Sequence, residues 1–166
     1  MNLNLLIVGL VFLVIGSSLY VSLPLYYPGY SSVNNVYKSN QGYVIVGPDQ
    51  SVIVKNFTAQ SGQAIIFLVL KGNANVSLLS STGKPILNQQ KEVSIELNQS
   101  RYEIEIINLD NQTSNISFTY GLFNAQTISN FYYSLGILQT FLDVVVLAGV
   151  AMILWYVISW FVTRKK

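Results

Sequence analysis

The stretch Lys91-Glu92-Val93-Ser94-Ile95-Glu96-Leu97-Asn98-Gln99-Ser100-Arg101-Tyr102-Glu103-Ile104-Glu105-Ile106-Ile107-Asn108 alternates apolar and polar side chains. Val93, Ile95 and Leu97 point one way and Ser94 and Glu96 the other; Tyr102, Ile104 and Ile106 alternate with Arg101, Glu103 and Glu105. Successive side chains of a strand face opposite sides, so this pattern predicts two strands with one wet and one buried face. Ile116, Phe118, Tyr120 and Leu122, alternating with Asn115, Ser117 and Thr119, predict a third.

Upstream, candidate strands run about 43–46, 51–57, 64–70, 76–80 and 85–87, and the last of the series about 116–123. Gly47-Pro48, Ser61-Gly62, Gly72-Asn73, Thr82-Gly83, Gln99-Ser100 and Asp110-Asn111 break them with turn-forming residues. The continuous run Ala64-Ile65-Ile66-Phe67-Leu68-Val69-Leu70 predicts a central strand covered on both faces. Seven or eight strands at this spacing predict an all-β antiparallel sandwich, jelly-roll-like, over about 41–125.

Apolar stretches close both ends, Leu3 to Leu23 and roughly Leu142 to Val162, and the second stops at Arg164-Lys165-Lys166. Each has the roughly 20 residues that a helix needs to cross a bilayer. The expected layout is a transmembrane helix at 1–24, a Tyr/Pro/Ser-rich linker at 25–40, the sandwich, an amphipathic-to-transmembrane helix at 126–163 and a basic cytoplasmic tail at 164–166. A secretory signal is the competing reading of the first stretch, with a core from Leu5 to Ile15 and Gly16-Ser17-Ser18 near a cut. The uncharged start and the apolar run unbroken to Leu23 favour a retained helix.

Lys and Arg near the crossings concentrate at the C-terminal end, which puts both termini on the cytoplasmic side of the cell membrane and the central domain outside. That domain balances Lys38, Lys55, Lys71, Lys84, Lys91 and Arg101 against Asp49, Glu92, Glu96, Glu103, Glu105 and Asp110, so it offers no basic patch to nucleic acid. Charged residues are 10% of the chain, against about 25% in an average soluble protein. With few carboxylates to protonate, the outer domain is expected to stay folded between about pH 5 and 3, as suits an acid-exposed archaeal cell surface. Circular dichroism of the isolated domain across that range checks this, and an unfolding transition within it would refute it.

The segment 76–87, with Val93 to Leu97 and Tyr102 to Asn108, resembles small jelly-roll-like modules: the bacterial pre-peptidase C-terminal domain and the Golgi-dynamics domain. The resemblance covers about 50 of the 166 residues and implies an interaction or carbohydrate-contacting module. The cysteine pair of the Golgi-dynamics domain is missing here, as is its long coiled coil.

Five Asn-x-Ser/Thr sequons begin at Asn56, Asn75, Asn98, Asn111 and Asn115. All fall in the segment placed outside, four at or beside predicted turns and Asn56 inside a strand, which makes them candidates for N-linked glycans. Catalytic material is sparse. With neither His nor Cys and no Gly-rich phosphate loop, the zinc sites and thiol or His-based nucleophiles that need those side chains have no ligands here. No cofactor or metal is expected. Glu92, Glu96, Glu103 and Glu105 fall in the predicted hairpin, and the last three share its wet face, where paired acids could cleave a glycoside or oxygens could hold Ca²⁺. The plainer reading is a solvated face balanced by Lys91 and Arg101, and the chain reads as a non-enzyme.

From Thr127 to Thr163 the helical pattern outruns a bilayer core, at about 55 Å against about 30 Å. On its outer part Ile128, Phe131, Leu135, Leu138 and Leu142 make an apolar stripe, while Tyr132, Gly136, Gln139, Thr140 and Asp143 fall along another side as candidate partner contacts. Counting back from Arg164 puts Asp143 near the outer rim, as an interfacial residue; the alternative is a carboxylate within the bilayer that faces a buried contact. Gly9 and Gly16 on the first helix, with Ala148, Gly149 and Ala151 on the second, permit close helix packing. The expected function is a small non-catalytic subunit of a multi-subunit membrane complex, respiratory or transport-related, that contacts lipid and other integral membrane subunits. The alternative is a free cell-surface module that binds glycans or envelope proteins.

Overall fold

The computed structural model describes residues 3–164. Helix α1 (Leu3–Tyr26) leads through a turn at Gly29, whose φ of 78° suits glycine, into α2 (Tyr30–Ser39). Eight strands follow: β1 (Gly42–Val46), β2 (Ser51–Ala59), β3 (Gln63–Lys71), β4 (Ala74–Ser80), β5 (Pro85–Gln90), β6 (Glu92–Leu97), β7 (Ser100–Asn108) and β8 (Ser114–Asn124). Helix α3 (Ala125–Arg164) ends the chain. Asn124 caps it, its Oδ1 accepting from Thr127 N at 2.9 Å and Thr127 Oγ1 at 3.0 Å.

Two antiparallel four-stranded sheets, β1-β8-β3-β6 and β2-β7-β4-β5, face each other as a jelly-roll sandwich. Their inward residues form one core around Ile65, Phe67, Val76, Leu78, Val93, Ile104, Ile106 and Ile116. Phe67 stacks on Phe118 and Tyr120, with centroids 5.1 and 6.2 Å apart. Along β2 the inward parity shifts at a bulge between Ile53 and Lys55, so Val54 packs on the core before it and Phe57 and Ala59 after it.

Two expectations need correction. The stretch read as a linker holds α2, which lies on the outer face of the first sheet: the Thr119 hydroxyl donates to the Tyr37 carbonyl at 2.6 Å, and the Tyr37 ring meets Phe123 edge-on at 5.5 Å. On the neighbouring strand β3, Ala64 to Phe67 are buried at both parities, whereas Leu70, at the end of the same run, is 56% exposed. Lys91 to Asn108 is likewise no hairpin. Strand β6 pairs only with β3 and β7 with β2 and β4, so the Asn98-Gln99 connection crosses from one sheet to the other. Lys91, at φ 65°, makes the preceding sheet change.

Contacts divide the chain into two compact units, Ser32–Asn130 with the sandwich, and the two apolar helices. Both α1 and α3 are long and apolar enough to cross a membrane.

Candidate functional site

In the helical unit, α1 and α3 run side by side along a seam of glycines. A Cβ added at Gly149 would lie 2.8 Å from Gly9 O and 2.8 Å from Leu13 N; one added at Gly9 would meet Gly149 O and Met152 Cβ, both at 3.0 Å. At Gly16 it would come within 2.9 Å of Val146 Cγ2. Backbones this close gain dispersion contacts that any larger side chain would prevent. Of the other small residues, Ala148 is half-buried and Ala151 is exposed. The apolar stripe continues the seam: Leu135 and Leu142 are buried with Leu23, and Phe131 and Leu138 pack there beside Tyr27 and Tyr30. Tyr27 meets Phe131 edge-on at 5.5 Å and donates its hydroxyl to the Phe131 carbonyl at 3.2 Å. Ile128, in the other unit, is also buried.

The polar stripe lies off this seam, roughly a third of the way round α3 at about 100° per residue. Tyr132, Thr140 and Asp143 are exposed, and Gly136 and Gln139 are half-buried. Thr140 donates to Gly136 O at 2.8 Å, and a Cβ on Gly136 would meet nothing within 4 Å. The seam fixes the level of Asp143. Gly9 opposes Gly149, Gly16 opposes Val145 and Val146, and Tyr27 opposes Phe131, so Asp143 stands beside Gly16 to Ser18. That is about 12 to 15 Å short of the C-terminal end of α1, Tyr26, at 1.5 Å per residue.

On the sandwich the carboxylates separate. Glu96 sits on the outer face of the first sheet, and Glu103 and Glu105 on the outer face of the second, where Ser51 Oγ donates to Glu105. No group of three or more His, Cys, Asp or Glu that could hold a metal forms among the described residues. A shallow groove of about 370 Å³ is lined by Asn56, Thr58, Ser81, Arg101 and Glu103 with parts of Phe57 and Tyr102, whose rings stack on each other in the core at 5.8 Å. Of the sequon asparagines, Asn56, Asn98, Asn111 and Asn115 are exposed, and Asn75 is half-buried on β4, between β7 and β5. Asn56 lies on the edge strand β2 and Asn115 at the start of β8, so Asn75 is the most crowded of the three in strands.

Sequence reasoning passed over Asn108, which is fully buried. Its Nδ2 donates towards Val46 O, Gly47 O and Gln112 O at 3.0, 3.0 and 2.9 Å, and its Oδ1 accepts from Asp110 N at 3.0 Å. The available signal was parity: Asn108 takes the inward slot after Tyr102, Ile104 and Ile106.

No protein-family model matches the sequence, and no curated protein matches it. Solved structures sharing the sandwich include PliG, a periplasmic inhibitor of g-type lysozyme from Aeromonas hydrophila, at 13% identity over 50% of this chain and 86% of that one, TM-score 0.36. The Yersinia pseudotuberculosis-derived mitogen is 15% identical over 49% of this chain and 82% of that one, TM-score 0.38. The pre-peptidase C-terminal domain of collagenase from Bacillus anthracis is 14% identical over 50% of this chain and 88% of that one, TM-score 0.38. The likeness is one of fold, and it includes one of the two module types that segment 76–108 resembles.

Proposed function

We propose that this chain is a small non-catalytic subunit of a membrane protein assembly, anchored by a two-helix hairpin, with both termini cytoplasmic and the sandwich covering its partners on the outer face. The observation that carries the reading is Asp143: an exposed carboxylate, flanked by Gln139 and Thr140, on a helix whose glycine seam is already occupied by α1. A carboxylate at that level is costly in hydrocarbon and usually faces a partner or a cavity. The hairpin register supports a depth between about two and three turns inside the end of α1, deeper than the count from Arg164 gives. The packing of Gly9 and Gly16 into α3 supports a retained first helix, since a cleaved signal has no use for a fitted seam.

The groove between Asn56, Arg101 and Glu103 favours the second reading, a free surface module that contacts glycans, because it gathers amide, hydroxyl, guanidinium and carboxylate groups that can hydrogen-bond sugar hydroxyls. Native mass spectrometry after mild detergent extraction separates the two. Stoichiometric integral membrane partners are expected, and a lone monodisperse chain would refute the subunit reading. The same spectra are expected to exceed the bare 18.5 kDa of the chain where the host glycosylates sequons.

A further inference from the structure

We propose that the stripe Tyr132, Gly136, Gln139, Thr140 and Asp143 receives a transmembrane helix of a different protein, and that this helix places a Lys or Arg side chain against the Asp143 carboxylate. The inference rests on the subunit reading above and adds the chemistry of the partner. Neither α1 nor α3 contains a Lys or Arg before Arg164, which lies 21 residues, about 31 Å, along the helix. The hairpin therefore supplies no cation of its own at the level of Asp143. Charged groups within membranes pair with one another or line a polar cavity, so the missing counter-charge comes from outside the chain.

The rest of the stripe has the same polarity. The Thr140 proton is spent on Gly136 O, which leaves the hydroxyl oxygen as an acceptor one turn before Asp143 on the same side of the helix, where Gln139 can accept or donate. Open space over Gly136 leaves a notch between Tyr132 and Thr140 into which a long side chain fits. A helix face whose one charge is negative complements a positive one. A second copy of this chain is the wrong occupant, because a symmetric pairing through this face would set Asp143 against Asp143.

The test uses the full chain in phosphatidylcholine vesicles, labelled at an introduced cysteine; the native chain has none. Labelled polyleucine transmembrane peptides, alike except for Lys, Gln or Leu at one position about 12 to 15 Å from the outer interface, are the probes. Energy transfer is expected to report association of the Lys peptide at least about fivefold stronger than the Leu peptide, with the preference lost in Asp143→Leu and reduced in Asp143→Asn. Equal association of all three peptides, or a Lys preference unaltered in both variants, would overturn the proposal, as would Asp143-dependent transfer between two labelled copies. Failure here beside stoichiometric partners in native spectra removes the ion pair alone; Lys capture by a chain extracted without partners removes the subunit reading alone.

Discussion

Asn108→Ala is expected to destabilise the sandwich by about 3 to 5 kcal/mol, as much as emptying a large core position. The amide of Asn108 reaches the turn after β1 through Val46 O and Gly47 O, and the turn before β8 through Gln112 O and Asp110 N. Alanine leaves Val46 O and Asp110 N short of a partner, each costing about 1 to 3 kcal/mol with partial relief from entering water. Gly47 O keeps Gln50 N at 3.2 Å and Gln112 O keeps the Ser114 hydroxyl at 3.5 Å, so each loses one bond of about 0.5 to 1.5 kcal/mol. For the full chain in mild detergent, the urea midpoint followed by circular dichroism should fall by roughly 2 M. Asn111→Ala, at an exposed position in the same turn, should leave it nearly unmoved.

Asn108→Asp sharpens the test. A carboxyl among three carbonyl oxygens would have its pKa raised above the unfolded value, because its charged form is desolvated and repelled. The folded state then binds the proton more tightly than the unfolded state, so this variant is most stable below the unfolded carboxyl pKa and loses stability as pH rises through the raised one. A midpoint that instead rose with pH would show that the carbonyls do not face the side chain.

Gly149→Leu is expected to separate α1 from α3. The seam leaves 2.8 Å between a Cβ at this position and both Gly9 O and Leu13 N, all backbone atoms on the far side. An isobutyl group fits only if the helices part, which forfeits the contacts of Gly9, Gly16 and Leu142 together. Overpacking alone costs about 1 to 3 kcal/mol, and there is no hydrophobic gain to offset it in lipid. Dyes on cysteines introduced at exposed Leu19 and Phe141 should lose at least about half of their energy transfer in vesicles. Ala151→Leu, at an exposed position of the same helix, should change it little. Transfer preserved in Gly149→Leu would mean that the glycine seam does not hold the hairpin.

The legibility of the chain follows the range of the forces involved. Eight strands, six of their seven breaks and two long helices could be read because alternation, helical periodicity and turn chemistry act between residues a few positions apart; the break at Lys91 carries no glycine or proline. The partners of each strand could not. Val93 to Leu97 and Tyr102 to Ile106 carry the same alternation whether their connection is a hairpin within a sheet or an arch between sheets, and only β4 and β5 turn out to be joined as a hairpin. The same limit explains the Glu96, Glu103 and Glu105 cluster, which dissolves once the two strands belong to opposite faces. Helix α2 was missed because its apolar residues are few, and Tyr37 gains its partners only from the outer face of β8, through Thr119 and Phe123.

The candidate site divides in the same way. From the sequence alone came the apolar lengths of the two helices, the polar stripe on the second and the small residues on both, since composition and spacing carry them. The antiparallel register came only from the folded hairpin: it decided that Gly9 and Gly149 meet, that Ala151 does not, and that Asp143 stands beside Gly16 to Ser18 rather than at the end of α1. A helix specifies which side chains share a face, but how far it slides along its neighbour is chosen by the fit of the two surfaces, where one glycine or one extra methyl group shifts every level along the seam.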